Sequence, residues 1–246
     1  MSRALAVAYG VASYLAFLGA FLYAVGFVGN VAVPKSIDSG PGVSLSAAVI
    51  VDTLLLLSFA VPHSVMARPA FKRWWKRFVP PPIERSTYVL VSSLALGLLY
   101  WQWRPIPAVV WQVTNPAGRW LVYAVFWAGW AVVLVSTFLI DHFDLFGLRQ
   151  VYLYASRRCY TPVGFKVLGR YRYVRHPIML GFLIAFWAAP TMTAGHLLFA
   201  GATTGYILIA LQLEERDLVG FHGERYQGYQ QQTRMLLPIP KPKSPN

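Results

Sequence analysis

Five apolar stretches set the pattern of hydrophobic and polar positions along the chain: residues 5 to 29, 43 to 67, 86 to 103, 118 to 140 and 177 to 213. Crossing roughly 30 Å of hydrocarbon takes about 20 helical residues, so each of the first four predicts one membrane-spanning helix. The fifth is too long for one span and is interrupted at Ala189, Pro190 and Thr191, where proline removes a backbone donor. It predicts a hairpin, with a first arm of about 14 residues, near 21 Å long, and a longer second arm over 194 to 213. The first arm barely spans, so the pair is expected to lie at an angle to the other helices. The first run is about 25 residues long, lacks a convincing small-x-small cleavage site and reads as a retained span rather than a removed leader.

Composition agrees with this pattern. Of 246 residues, 57% are hydrophobic and 13% charged, and mean hydropathy is +0.48, which is too apolar for one soluble domain with a wetted surface. The expected fold is an all-α integral membrane protein of four transmembrane helices plus a C-terminal helical hairpin. We read one membrane domain over 1–246, with a four-helix part over 1–140, a C-terminal part over 141–237 and a disordered tail over 238–246 that contains PIPKPKSPN.

Net charge is +13, and its distribution orients the chain. Lys and Arg number 1 before the first run, then 1, 6, 2 and 7 in the successive connections and 5 after the hairpin. With the heavy segments on one side, the N-terminus, second loop, fourth loop and tail are cytoplasmic. These cations border apolar spans, so membrane orientation and lipid headgroups account for them and no nucleic-acid partner is expected. FKRWWKR, with Trp74 and Trp75 among cations, fits an interfacial segment with its rings at headgroup level. The single cysteine, Cys159, permits neither an internal disulfide nor a cysteine-based metal site.

Ionisable groups inside or beside apolar spans are costly and mark candidate sites. Asp52 and His63 lie in the second run, 11 residues apart, and share one helical face with Phe59 at a separation of roughly 16 Å. Asp52 reads as a buried structural group. His63 either reaches a cytoplasmic site or, with Ser64, repairs backbone groups freed by Pro62. The fourth run ends in LIDHFDLFGLRQ, where Asp141, His142 and Asp144 leave the membrane together. A carboxylate there is expected to set the tautomer of His142 or raise its basicity. One His with two Asp is a poor metal signal, and no metal is expected.

At the two ends of the hairpin stand RHP, residues 175 to 177, and the pair Glu214 and Glu215. Pro177 suits the first helical position, and the free N–H groups of that helix start favour an anion. Gly181, one turn further in, lets a helix or a ligand come close to the backbone. Adjacent carboxylates point about 100° apart on a helix, so Glu214 and Glu215 are expected to do different jobs. Acids at a helix C-terminus are disfavoured by the dipole, which calls for a cationic partner. A hairpin returns its chain to the side of entry, so both ends meet at one membrane face. Cations at one end and carboxylates at the other suit a zwitterionic ligand.

YRYVRHPIMLG, then EE about 33 residues later, then FHGERYQGYQ and a final LLP resemble the C-terminal catalytic region of the isoprenylcysteine carboxyl methyltransferase and phospholipid methyltransferase superfamily. Within it, AVPHSVMARPAFK, PPPIERSTYVL, WQWRPIP and DHFDLFGLRQVY are similar to segments of the methanethiol S-methyltransferase group related to NnrU proteins, and the likeness covers nearly the full length. The sequence departs from the superfamily pattern at Arg170, where Pro is frequent, and at Met179, where Tyr is frequent.

The resemblance implies S-adenosylmethionine, with S-adenosylhomocysteine as product, in a site facing the cytoplasm. Tyr173, Arg175, His176, Pro177 and Gly181 match its first cofactor motif, Glu214 and Glu215 the second, and Tyr226 and Tyr229 the aromatic positions that close the pocket. The implied reaction is S-methylation of a small volatile thiol, methanethiol, to dimethyl sulfide within the lipid bilayer, at a bacterial inner membrane. His142, positioned by Asp141 or Asp144, is the expected proton acceptor, with His63 second. The alternatives are another thiol, an isoprenylcysteine or a lipid as acceptor, or a non-catalytic NnrU-like membrane protein. Because sterol reductases share part of the C-terminal pattern, a reductase using a nicotinamide cofactor is a further alternative.

Overall fold

A computed structural model describes residues 1–161 and 173–238. The departure at Arg170, the cations Lys166 and Arg172, and the tail from residue 239 lie outside the described residues. The chain forms α1 (Arg3–Gly29), α2 (Leu45–Ala67), α3 (Pro69–Trp75), α4 (Pro81–Gln102), β1 (Val109–Gln112), α5 (Pro116–Ile140), α6 (His142–Leu145), α7 (Leu148–Ala155), α8 (Pro177–Trp187), β2 (Thr191–Thr193), α9 (Ala194–His222) and α10 (Glu224–Gln232). Proline opens α3, α4, α5 and α8, at the helical position where its missing donor is harmless. Ser2 caps α1 by accepting from Leu5 N–H at 3.2 Å, and Asn30 ends it in the left-handed conformation with its N–H on Gly26 O.

Among the described residues, four helices are long and apolar enough to cross a membrane: α1, α2, α5 and α9. The chain is thus a mostly helical integral membrane protein. The third expected span, α4, starts five residues earlier than the apolar run and carries Glu84, Arg85, Ser92, Ser93 and Gln102, which keep it out of that set. Its 22 residues, about 33 Å, pack on both α1 and α2. Two further differences concern the hairpin. Its first arm has 11 residues rather than 14, because Ala188 to Pro190 leave the helix and Thr191–Thr193 pairs with β1 in a two-stranded sheet. Its second arm continues to His222 instead of ending at 213, since LEERDL is composed largely of good helix formers.

By internal packing the chain divides into two units, and the boundary falls within α9. Unit 1 comprises Met1–Trp111, Asp141–Gly164 and Thr191–Phe199. Its core sets Phe27, Tyr100, Trp103 and Phe199 in contact, with the Trp103 indole donating to Ile37 O at 3.1 Å. Asp52 is fully buried and accepts from Arg104 N–H at 2.8 Å. α7 rests on α1 where Gly10 makes room: a Cβ there would lie 2.7 Å from Val151.

Unit 2 comprises Gln112–Ile140, Phe165–Pro190 and Ala200–Asn246. Its principal packing is α5 against α8. A Cβ on Gly181 would lie 2.7 Å from Gly129 O and 2.9 Å from Val133 N, and one on Gly129 would lie 2.7 Å from Ala185 N. Two facing glycines therefore bring the helix backbones together, a device favoured where lipid provides no hydrophobic drive between helices. Trp130 meets Phe182 and Phe186 edge-on beside this contact. The Trp187 indole donates to Thr204 Oγ1 at 2.9 Å and ties α8 to the second arm.

Gly181→Ala is expected to lower the melting temperature in detergent, with a loss of about 1–3 kcal/mol from overpacking. Gly97→Ala, whose Cβ would meet nothing within 4 Å, serves as the comparison and is expected to be neutral or stabilising by up to about 1 kcal/mol. Equal melting temperatures for the two variants would refute the close approach.

Candidate functional site

The residues just before α8 are fixed by backbone pairing. Val174 bridges Arg234 in parallel, Arg175 N–H donates to Arg234 O at 2.9 Å, and His176 N–H donates to Met235 O at 3.2 Å. This holds the RHP turn on the segment that follows α10. The Arg175 guanidinium then grips Glu215 with two parallel bonds, Nε to Oε1 at 2.6 Å and Nη2 to Oε2 at 2.9 Å. Its Nη1 donates to Gln230 O at 3.2 Å and to Thr233 O. Four of the five guanidinium donors are thereby engaged.

Glu215 is the hub of this cluster. It also receives His176 Nε2–H at 3.1 Å and Gln230 Nε2–H at 3.0 Å. Its side chain is 14% exposed, whereas that of Glu214 is 46% exposed and stands 3.9 Å from His176 Nδ1. The two carboxylates thus do different jobs, as their angular separation on a helix requires. Two expectations change. α9 continues beyond them to His222, so they sit nearly two turns before its end and the dipole is not the reason for a cationic partner; partial burial of Glu215 is. Nor are Arg175 and Glu215 left as separate poles for a zwitterion, because they neutralise one another, and Glu214 is the carboxylate that stays open.

Around this cluster the other residues fall into place unequally. Pro177 is buried at the first position of α8. The space beside Gly181 is filled by α5, so of its two expected neighbours the structure places a helix there rather than a ligand. Tyr226 and Tyr229 are buried on α10 with ring centroids 5.8 Å apart. Burial, reinforced by the Glu215 charge, pushes the Tyr226 phenol above its ordinary range, and burial pushes Tyr229 up to about 12. Both stay neutral near pH 7. Tyr173, at 67%, is exposed.

The remaining sequence candidates belong to unit 1. His142 opens α6, is 6% exposed, and meets the Tyr14 hydroxyl through Nε2 at 2.9 Å. Phe146 lies against its ring with centroids 4.9 Å apart. Burial lowers its proton affinity below the ordinary value, and the nearby Asp141 opposes this without prevailing. The acids around it are held by other groups: Asp141 Oδ1 caps α6 by accepting from Asp144 N–H at 3.0 Å, and Asp144 pairs with Arg149 at 2.8 Å. Tyr14 is a partner that sequence reasoning missed, since one tyrosine in an apolar span carries no pattern of its own. His63 Nδ1 meets Ser92 Oγ at 3.0 Å, and its Nε2 meets the Tyr88 hydroxyl at 2.9 Å. Its ring therefore bonds to α4 rather than to backbone freed by Pro62. Among the described residues, no group of three or more His, Cys, Asp or Glu gathers as a metal site requires.

Comparison with known proteins gives a consistent result. The NnrU protein family matches residues 53–216. A methanethiol S-methyltransferase of Mycobacterium tuberculosis is 61% identical over 240 residues, covering 98% of this chain and 98% of that protein. One from Crocosphaera subtropica is 54% identical over 99% of this chain and 96% of its own. Nurim from Rattus norvegicus is 32% identical over 79% of this chain and 74% of its own. No solved structure matches. A match of this extent places the chain in a known family: it belongs to the NnrU family.

Proposed function

We propose that this chain is a membrane-embedded thiol S-methyltransferase that converts methanethiol to dimethyl sulfide with S-adenosylmethionine as donor. The observation that carries this reading is the 61% identity, over 98% of both chains, to a protein named methanethiol S-methyltransferase. The residues of unit 2 fit such a donor. The half-exposed Glu214 offers a carboxylate to an ammonium group. The first turn of α8 offers the N–H groups of Ile178 and Met179 to a carboxylate, where the helix dipole favours an anion. Tyr226 and Tyr229 add neutral, buried rings. Arg175, His176 and Glu215 hold these parts in position, and Pro177 fixes the direction of the helix start.

When bound, the donor supplies a methyl group on a sulfonium, ready for in-line displacement. The chain has to align the acceptor, exclude water and bring the thiol to its thiolate. A cysteine-like thiol with pKa about 8.5 is mostly protonated at pH 7, so a proton acceptor raises the reactive fraction. The thiolate sulfur forms the new S–CH3 bond as the sulfonium C–S bond breaks, and the two opposite charges cancel in neutral sulfides. We assign the thiol proton to His142, whose burial keeps the ring neutral and therefore able to accept. The Tyr14 hydroxyl fixes the ring orientation. His63 is the second candidate. Neither Asp141 nor Asp144 is assigned a proton, because one caps α6 and the other pairs with Arg149.

We place both termini in the cytoplasm of a bacterial cell, with the chain in the inner membrane, on the clustering of Lys and Arg in alternate connections. A fluorescent protein fused after Asn246 is expected to fluoresce in cells; a dark but full-length fusion would reverse this orientation.

Headspace gas analysis of cells expressing the chain and fed methanethiol is expected to show dimethyl sulfide. The purified protein is expected to bind S-adenosylhomocysteine, not NADPH, in calorimetry. Absence of both the gas and the binding would refute the reading and favour a non-catalytic NnrU-like role, whereas binding without the gas would move the acceptor to another thiol, an isoprenylcysteine or a lipid.

His142→Asn is expected to reduce turnover by about 100-fold or more while S-adenosylhomocysteine binding persists. The sign of the pH effect follows from burial. The folded-state pKa lies below 6.5, so the neutral ring is favoured by the fold, and stability and activity hold at pH 7 and fall as pH drops through 6.5 and below. The variant should lose this acid limb; an unchanged acid limb with near-normal turnover would dismiss His142 as the proton acceptor.

A further inference from the structure

The segment linking α2 to α4 carries chemistry that methyl transfer does not use. Arg68, Lys72, Arg73, Lys76 and Arg77 place five cations within ten residues, and the next acid is Glu84. α2 is a candidate span that ends at Ala67, so this elbow begins where the chain leaves the hydrocarbon. On α3, Lys72, Trp75 and Lys76 lie at i, i+3 and i+4 and share one face, with the N-cap residue Arg68 a turn before them. Lys72 is half-buried, and burial with the charges of Arg85, Lys76 and Arg68 holds its ammonium below the usual lysine range, with Glu84 only partly opposing.

A partly desolvated ammonium among like charges is relieved by an anion. The rings beside them specify where that anion comes from. Trp74 and Phe78 are 47% and 67% exposed and pack edge-on with centroids 5.3 Å apart. Exposed rings interleaved with cations next to a span suit the boundary between headgroups and acyl chains, not free solution.

We propose that the α2–α4 elbow is a binding site for the phosphate of an anionic phospholipid. Lys72 and Lys76 grip the headgroup oxygens, and Trp74 and Phe78 enter the acyl boundary. The site lies wholly within unit 1 and does not depend on the methyltransferase reading.

The test compares lipid association of the full chain in vesicles of phosphatidylcholine containing spin-labelled phosphatidylglycerol or spin-labelled phosphatidylcholine, read by electron paramagnetic resonance. The unaltered protein is expected to prefer the anionic label by a factor on the order of 5, about what one interfacial cation supplies. Lys72→Gln/Lys76→Gln should bring the ratio close to one. Arg157→Gln/Arg158→Gln removes the same charge from exposed positions after α7 and should leave the preference intact. Lys76→Gln alone, at an exposed position, should lower the ratio in part without altering helicity by circular dichroism. A wild-type ratio near one, an unchanged ratio in both elbow variants, or an equal loss in the Arg157/Arg158 control overturns the proposal. If the double elbow variant loses helicity, Lys76→Gln alone decides.

Discussion

The clasp between Arg175 and Glu215 is the interaction on which the C-terminal region depends. It joins three pieces distant in sequence: the turn into α8, the C-terminal part of α9 and, through Gln230 and Thr233, the end of α10. A partly buried carboxylate loses some hydration, which costs free energy unless geometry and hydrogen bonds offset it. Here a bidentate guanidinium, an imidazole and an amide surround it. Removing one partner leaves the other charge partly buried without its bidentate counterpart, which destabilises the cluster. The clasp is consequently better understood as a device that fixes position than as a source of net stability.

Chain length makes this meeting possible. From Ala194 to Glu215 a helix rises about 32 Å, whereas the 11 residues of α8 rise about 16 Å. Between the arms, Ala188 to Pro190 turn out of the helix and Thr191–Thr193 runs as strand, adding about 10 Å at about 3.3 Å per residue. The short first arm is thus lengthened by non-helical chain, and Pro190 is where the helix must give way. The Gly129 and Gly181 contact then presses α8 onto α5, which sets the height at which the RHP turn sits. Sequence, local geometry and packing converge on one outcome, a rigid helix start beside an open carboxylate.

Much of this was legible in the sequence. Apolar runs of 20 or more residues locate helices well because little else satisfies backbone groups in lipid, and the interruption at Ala189-Pro190-Thr191 marked the hairpin. The meeting of Arg175-His176 with Glu214-Glu215 followed from the return of a hairpin to its starting side. What stayed hidden depends on partners that no spacing encodes. The sequence placed two carboxylates near His142, but did not show that Asp141 would cap α6 and Asp144 would hold Arg149, or that the ring would meet Tyr14 from another helix. Gly181 was open to two neighbours, and only packing decided for α5. The end of α9 was misjudged because hydropathy falls after Leu213 while helix propensity does not.

The central claim is that Arg175 and Glu215 act as one unit in forming the cofactor cradle. The direct measurement is a double-mutant cycle on S-adenosylhomocysteine affinity, by calorimetry on Arg175→Met, Glu215→Gln and the combined variant. The account predicts that each single change weakens binding and that the combined variant is little worse than either, with a coupling energy of about 1–3 kcal/mol. Losses that simply add, or affinity unchanged in all three proteins, would contradict it.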